Sequence, residues 1–251
     1  MKPCNENDEI TVQVIGGYKQ VVAFSGGKDS TAMALRMAAL QEPFALLFTP
    51  TGNELAPLKA HFDNVVQMTG AEVILPPGPS LAGLISEMKA LPNWRQRWCT
   101  RLIKIVPCIN WLKTHPGITL CVGLRADEEH RLGLYGDFAS YRYPLRDWGW
   151  DESKVKAYCK ERGVKVPPRT DCAVCPYQRL GEWWNLWKQF PGEFAQGEAW
   201  EEMTGHTFRS PQRDTWPAAL TGLRERFEAG DIPRGADDSG EEEKACRVCR
   251  L

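Results

Sequence analysis

Residues 21–35, VVAFSGGKDSTAMAL, pass from an apolar, β-branched run through two adjacent glycines into a stretch rich in helix formers. A strand that turns this sharply into a helix is the elementary step of α/β architecture. The sequence repeats that step. Short apolar runs stand at 11–15 (TVQVI), 21–24 (VVAF), 44–48 (FALLF), 72–75 (EVIL) and 118–123 (ITLCVG), with helix-like stretches near 30–40, 55–69, 80–90 and 101–114 between the later ones. FALLF is apolar throughout, as a strand buried on both faces must be. The pattern predicts a doubly wound, mainly parallel α/β sheet. After Pro144 the rhythm changes, and charged helices near 151–162, 177–190 and 216–229 lie between turns rich in Pro, Gly and Cys. The expected organisation is an α/β unit over 1–147, a helical, cysteine-bearing region over 148–229, and a mobile acidic tail over 230–251 that ends in CRVCRL.

Composition narrows the classes further. No apolar run approaches the roughly 20 residues needed to span a bilayer, and the polar opening MKPCNENDEITVQ lacks a signal core, so a cytoplasmic location with no membrane partner is expected. Nine cysteines in such a chain suit metal or sulfur chemistry better than a disulfide framework. The net charge of -1 points to no polyanion by itself. Its distribution is uneven: nine Lys/Arg against four acids from Trp94 to Arg146, but eight acids against two arginines from Glu225 to Glu243. This fits a phosphate-binding face and a solvated tail, although charge runs are most often plain surface.

The glycine corner has a chemical reading. Ligands of open α/β sheets sit at the carboxyl ends of strands, where the next helix begins. There Gly26 and Gly27 permit backbone angles closed to other residues and turn amide N–H groups inward, and the helix adds its own free N–H groups and positive dipole end. Ser25, Ser30 and Thr31 contribute hydroxyls. Lys28 supplies charge to phosphate oxygens, and Asp29 is placed to orient a magnesium ion that bridges them. The bland alternative is a strand-to-helix turn with a serine cap. Lys28 is followed by Asp, so this is not a Walker A loop, and no G-x-G-x-x-G is present.

SGGKDS resembles the signature of the PP-loop ATP pyrophosphatases. The later motifs resemble the branch that holds the phosphoadenylyl-sulfate (PAPS) reductases and the DNA-phosphorothioation ATP pyrophosphatases. TPTGNELAP is similar to that branch's T-G-x-E-x-P segment, which implies Gly52 and Glu54 near the nucleotide. RWCTRLIKIVP resembles its Cys, Lys and Pro spacing at Cys99, Lys104 and Pro107, and GLRADEEHR its G-[LV]-R segment, which implies Arg125 on the phosphates. YPLRDWGWDESKVKAYCKERGV resembles its P-L-x-D-W segment. The resemblance covers about residues 20–190 and implies an adenine nucleotide alpha hydrolase-like fold with ATP and Mg2+ as ligands.

Two C-x-x-C pairs, Cys172/Cys175 and Cys246/Cys249, admit a zinc site or a dithiol couple. The resemblance adds a third reading. Assimilatory adenylyl-sulfate reductases hold a [4Fe-4S] cluster through an adjacent Cys-Cys and a downstream C-x-x-C. Cys99 matches the first of the adjacent pair, whereas the second position is Thr100 here. The implied ligands are Cys99, Cys172 and Cys175, with Cys246 or Cys249 open as the fourth; zinc and no metal stay as alternatives. Cys108, Cys121 and Cys159 lie on apolar patterns and read as core.

Two reactions share this scaffold. In one, ATP is cleaved to AMP and pyrophosphate as an acceptor is adenylated, and a sulfur nucleophile then displaces AMP. In the other, a sulfonucleotide is reduced by a mobile C-terminal cysteine and sulfite leaves. The resemblance implies degenerate loops in the reductases, so the complete SGGKDS favours ATP, with Lys28 and Asp29 as catalytic residues and Cys246 and Cys249 as sulfur relay or cluster ligand. A non-catalytic nucleotide sensor is the third possibility. For the acceptor, basic residues interleaved with Trp94, Trp98 and Trp111 suit a nucleic acid, a small molecule or a carrier protein alike. A sulfur-donor protein and a homodimer are further possible partners.

Overall fold

The computed structural model describes residues 17–128, 130–131, 139–211 and 213–236. The strand expected at 11–15, together with Cys4, Cys246 and Cys249, lies outside the described residues. Among those described, β1 (Gln20–Ala23), β2 (Ala45–Leu47), β3 (Glu72–Ile74), β4 (Thr119–Cys121) and β5 (Ser140–Arg142) form one sheet in the order β3-β2-β1-β4-β5. Every neighbouring pair is parallel. The order reverses at β1, so the crevice between the carboxyl ends of β1 and β4 is the topological switch point.

The register explains why the central strands β1, β2 and β4 are mostly apolar. Val22, Leu46 and Cys121 pair side by side and point to one face, where α1 (Lys28–Ala39), α2 (Ala56–Thr69) and, later in the chain, a helix over Glu152–Glu161 close a core with Phe24, Met33, Val65 and Tyr158. Val21, Ala45 and Leu120 point to the other face and meet Cys108, Leu112 and Ile118. The sheet is thus covered on both sides. Cys108, Cys121 and Cys159 are buried in these cores, as expected. Burial pushes the thiols of Cys108 and Cys121 up to about 12, which leaves them inert at neutral pH.

Between β3 and β4 run α3 (Leu81–Met88), a π-helical stretch (Thr100–Ile105) and α4 (Val106–Lys113). Ser80 caps α3, its Oγ accepting from the Gly83 amide at 3.1 Å. After β5 come α5 (Pro144–Asp147), α6 (Glu152–Glu161), α7 (Leu180–Gln189), α8 (Pro191–Thr204) and α9 (Leu220–Glu228). The last three pack around Trp183, Phe194, Phe208 and Phe227, and this second core also takes in Leu81, Ile85 and Ile103 from the first half of the chain.

Three features differ from the sequence reading. Helix α1 begins at Lys28, not near Ser30, which brings Lys28 and Asp29 into its first turn. β5 is an added edge strand, and its Ser-Tyr-Arg composition carries no apolar signal. α8 is an added helix inside a stretch holding Gly192 and Gly197. Gly197 is small for a packing reason, since a Cβ there would lie 2.8 Å from Leu220 Cδ1 and 3.0 Å from Val174 Cγ1.

Candidate active site

The loop from Ser25 to Gly27 leaves β1 at the switch point and feeds the N-terminus of α1. Gly26 holds φ +75°, a left-handed conformation that favours glycine, and a Cβ there would stand only 2.4 Å from Leu58 Cδ1 on α2. Gly27 is the N-cap, with extended backbone and no side-chain cap. Ser25 and Ser30 buckle the loop: Ser30 Oγ donates to Gly27 O at 3.1 Å, accepts from the Ser25 amide at 3.3 Å and lies 3.3 Å from Ser25 Oγ. The first-turn amides of α1 lack intrahelical acceptors and carry the positive end of the helix dipole. The arrangement is an anion cradle.

Lys28 and Asp29 stand at its mouth. Lys28 is buried, and its Nζ has no hydrogen-bond partner among the described residues; Asp29 at 3.9 Å and Glu152 at 3.6 Å balance its charge from a distance. Asp29 Oδ2 accepts from Arg125 Nη1 at 3.1 Å, while its buried Oδ1 has no hydrogen-bond partner among the described residues. Burial raises the Asp29 carboxyl above its usual value despite the nearby charges of Lys28 and Arg125.

Arg125 follows β4 on the opposite wall of the crevice. The chain reaches it through Gly123, where a Cβ would come within 3.2 Å of the Ser30 amide nitrogen and 3.3 Å of the Asp29 carbonyl carbon. A side chain at that position would push the two walls apart. Asp127 grips Arg125 with both oxygens, at 2.9 and 3.1 Å, and Glu128 and Glu152 lie at 3.8 and 3.9 Å. Burial works against the guanidinium charge, but the hydrogen bond to Asp127 and the charges of Asp29 and Glu128 raise it beyond its usual value. Two buried cations therefore sit among carboxylates with which a phosphate can exchange.

Thr31 does not face the cradle openly. It is fully buried, and its hydroxyl is 2.9 Å from His61 Nε2, which ties α1 to α2. Gly52 and Glu54 form a tight turn after β2. Glu54 Oε1 accepts from the Thr51 amide and hydroxyl at 2.6 Å, and Oε2 accepts from the Gly52 amide at 3.0 Å, so this carboxylate shapes its own turn.

That turn carries the thiol segment. Glu54 and Cys172 bridge as antiparallel partners, the Ala173 amide donates to Asn53 O at 2.8 Å, and Cys172 Sγ donates to Thr51 Oγ1 at 3.3 Å. Cys99 precedes the π-helical stretch that holds Lys104, and such stretches cluster at functional sites. Burial raises the thiols of Cys99, Cys172 and Cys175; that of Cys172 reaches about 11, although Lys104 works against the shift. Cys99 adds to the rise at Cys172. Their sulfurs are the right donors for a thiophilic metal. Yet among the described residues no three His, Cys, Asp or Glu side chains converge closely enough to hold a metal ion. The donor type suits a thiophilic metal, while the described residues form no single-ion site.

Several site residues carry no sequence signal of their own. Glu152, His61 and Thr170 reach the loop from 30 or more positions away, through packing alone. Among the described residues, no helix is long and apolar enough to cross a membrane.

Fold and site together define a class: open parallel α/β proteins whose glycine loop at the switch point is shaped for a phosphate-bearing ligand. Within it, the chain belongs to the phosphoadenosine phosphosulfate reductase domain family, which it matches over residues 19–185, and so to the PP-loop ATP pyrophosphatase superfamily. No curated protein matches it significantly. Among solved structures, a phosphoadenylyl-sulfate (PAPS) reductase from Candida auris, in a phosphate complex, is 20% identical, with a TM-score of 0.46 over 59% of this chain and 74% of that one. The U34-tRNA thiolase NcsA from Methanococcus maripaludis, with its [4Fe-4S] cluster, is 17% identical, with a TM-score of 0.44 over 95% and 82%. NMN synthetase from Francisella tularensis is 15% identical, with a TM-score of 0.45 over 86% and 87%. At this distance none of them lends its ligand to this chain.

Proposed function

We propose that the protein is an ATP pyrophosphatase that adenylates an acceptor for sulfur transfer. The observation that carries this reading is the pair of buried polar atoms at the cradle, Lys28 Nζ and Asp29 Oδ1, that have no hydrogen-bond partner among the described residues. Buried charges of this kind are costly until a ligand meets them. A triphosphate supplies oxygens to the first and, through magnesium, positive charge to the second. Asp29 is the residue that would hold the magnesium ion, which when bound neutralises phosphate charge.

The chain's own groups then divide the work. The loop amides and Lys28 hold the β- and γ-phosphates, and Arg125 draws charge from the α-phosphate as an acceptor oxygen attacks and pyrophosphate leaves. A sulfur nucleophile displaces AMP from the adenylated acceptor in the second half-reaction. Trp94, exposed beside Arg95 and near the Arg97–Tyr177 pair, supports a nucleic-acid acceptor.

Incubation with Mg·ATP and product chromatography test this reading. AMP and pyrophosphate are expected, and ADP with phosphate overturns it. Asp29→Ala is expected to lower turnover by about 10²–10³, with an unchanged circular dichroism spectrum. A second reading, sulfonucleotide reduction, has support from the family match itself. It requires sulfite release from adenylyl sulfate and a thiol without ATP, and loss of that activity when residues 244–251 are removed.

Cys99, Cys172 and Cys175 are the proposed ligands of a [4Fe-4S] cluster, and no step above depends on it. Iron and sulfide analysis of anaerobically purified protein checks the assignment. Stoichiometric zinc without iron decides against it.

A further inference from the structure

We infer that Thr170 is a nucleotide-contacting residue, its hydroxyl donating to a phosphate oxygen held in the glycine cradle; this rests on the ATP reading above. Thr170 is only 7% exposed, and its Oγ1 has no hydrogen-bond partner among the described residues. A buried hydroxyl without a partner is rare and unfavourable, so its persistence calls for a ligand.

Its position says which ligand. A Cβ built on Gly27 would lie 3.8 Å from Thr170 Oγ1 and 3.4 Å from Ser25 Oγ, so both hydroxyls stand close to the N-cap residue of α1. A group that meets Thr170 there therefore also lies close to the N-terminus of α1, whose first residue is Lys28. A phosphate group suits these donors together, because it is anionic and its several oxygens each accept hydrogen bonds. A cationic ligand would meet the like charge of Lys28, and a neutral one would leave that charge without a counter-ion.

Thr170 is also held in place. Arg169 donates from Nη1 to Gln178 Oε1 at 2.9 Å and from Nη2 to Cys172 O at 3.0 Å. Three residues further on, the Ala173 amide is anchored to Asn53 O. The hydroxyl is thus presented by a braced segment, the same one that carries Cys172 and Cys175. Nothing in the local sequence, PPRTDC, marks a lone threonine for this role.

The experiment compares full-length wild type with Thr170→Val and Thr170→Ser. Calorimetric titrations with Mg·ATP and with inorganic pyrophosphate are paired with thermal unfolding of the free protein. Valine matches threonine in shape and removes an unsatisfied hydroxyl, so T170V is expected to unfold at the same temperature or higher. Its affinity for both probes is expected to fall about ten- to a hundredfold. T170S keeps the hydroxyl and is expected to bind within about threefold of wild type. A T170V variant that binds both probes as tightly as wild type overturns the inference. So does a T170V variant that loses thermal stability together with affinity while T170S loses both equally, because the residue would then serve packing alone. If wild type binds neither probe, the ATP reading itself fails and takes this inference with it, a failure visible before any variant is measured.

Discussion

Gly26 and His61 show how much of the cradle depends on single residues outside its polar chemistry. Gly26 combines φ +75° with a Cβ position 2.4 Å from Leu58 Cδ1, so alanine meets both backbone strain and a clash. Gly26→Ala is expected to cost about 1–3 kcal/mol in chemical denaturation, and nucleotide affinity should fall with it. His61, buried against Thr31, has its pKa lowered below 6.5 by burial. The folded state therefore holds a neutral imidazole while the unfolded chain protonates near 6.5, and this group's stabilisation is present above that pH and is lost as pH falls below it. The midpoint of unfolding should drop between pH 7 and pH 5 in wild type, and less steeply in His61→Gln. Lys28, Asp29 and the glycines were legible because six consecutive residues compress the chemistry of the loop into one motif. His61, Thr170 and Glu152 were not, since each reaches the loop only once distant helices and turns have packed.

At the scale of elements, the central strands and the amphipathic helices follow from apolar patterning, and the exceptions have physical causes. Among the described residues β5 is a three-residue edge strand paired with β4 alone, so backbone hydrogen bonds to β4 define it without an apolar run. α8 is defined by what it binds. Glu201, buried on this helix, accepts from the Phe208 amide at 2.8 Å and from the Leu220 amide at 2.6 Å, and so caps the start of α9 from a neighbouring helix. Burial raises its pKa to about 7, above the ordinary 4.5, against the pull of those two amides. The folded state thus binds the proton more readily than the unfolded chain, and the stability tied to it is fully present below pH 4.5 and is lost as pH rises through 7. Glu201→Gln sets an amide NH2 against one of the two backbone N–H groups. It is expected to destabilise by about 1–3 kcal/mol and to remove this pH dependence, both readable in denaturation curves at pH 5 and pH 8.

Across the whole molecule, the change of pattern after Pro144 marks a change of architecture, but packing runs straight across it. α6 lies against α1, with Val155, Tyr158 and Cys159 in the same core as Met33 and Met37. In the other direction, Leu81, Leu84, Ile85, Leu91 and Ile103 are buried in the core that Trp183, Phe194, Phe208 and Phe227 complete. This mutual dependence could not be read from periodicity, which reports the face a helix buries and not the element that covers it. Its consequence is energetic. Losing the cover of those five side chains costs on the order of 7–15 kcal/mol at about 1.5–3 kcal/mol each, comparable with the entire stability of a typical domain, about 5–15 kcal/mol. A fragment of residues 1–147 is therefore expected to lack cooperative unfolding and dispersed amide resonances, although it contains the complete glycine loop. The full chain is expected to unfold in one transition by both circular dichroism and tryptophan fluorescence. Two separated transitions, or a folded 1–147 fragment that binds Mg·ATP, would show that the sheet stands without the helical core and that the thiol segment is an addition to a self-sufficient nucleotide site.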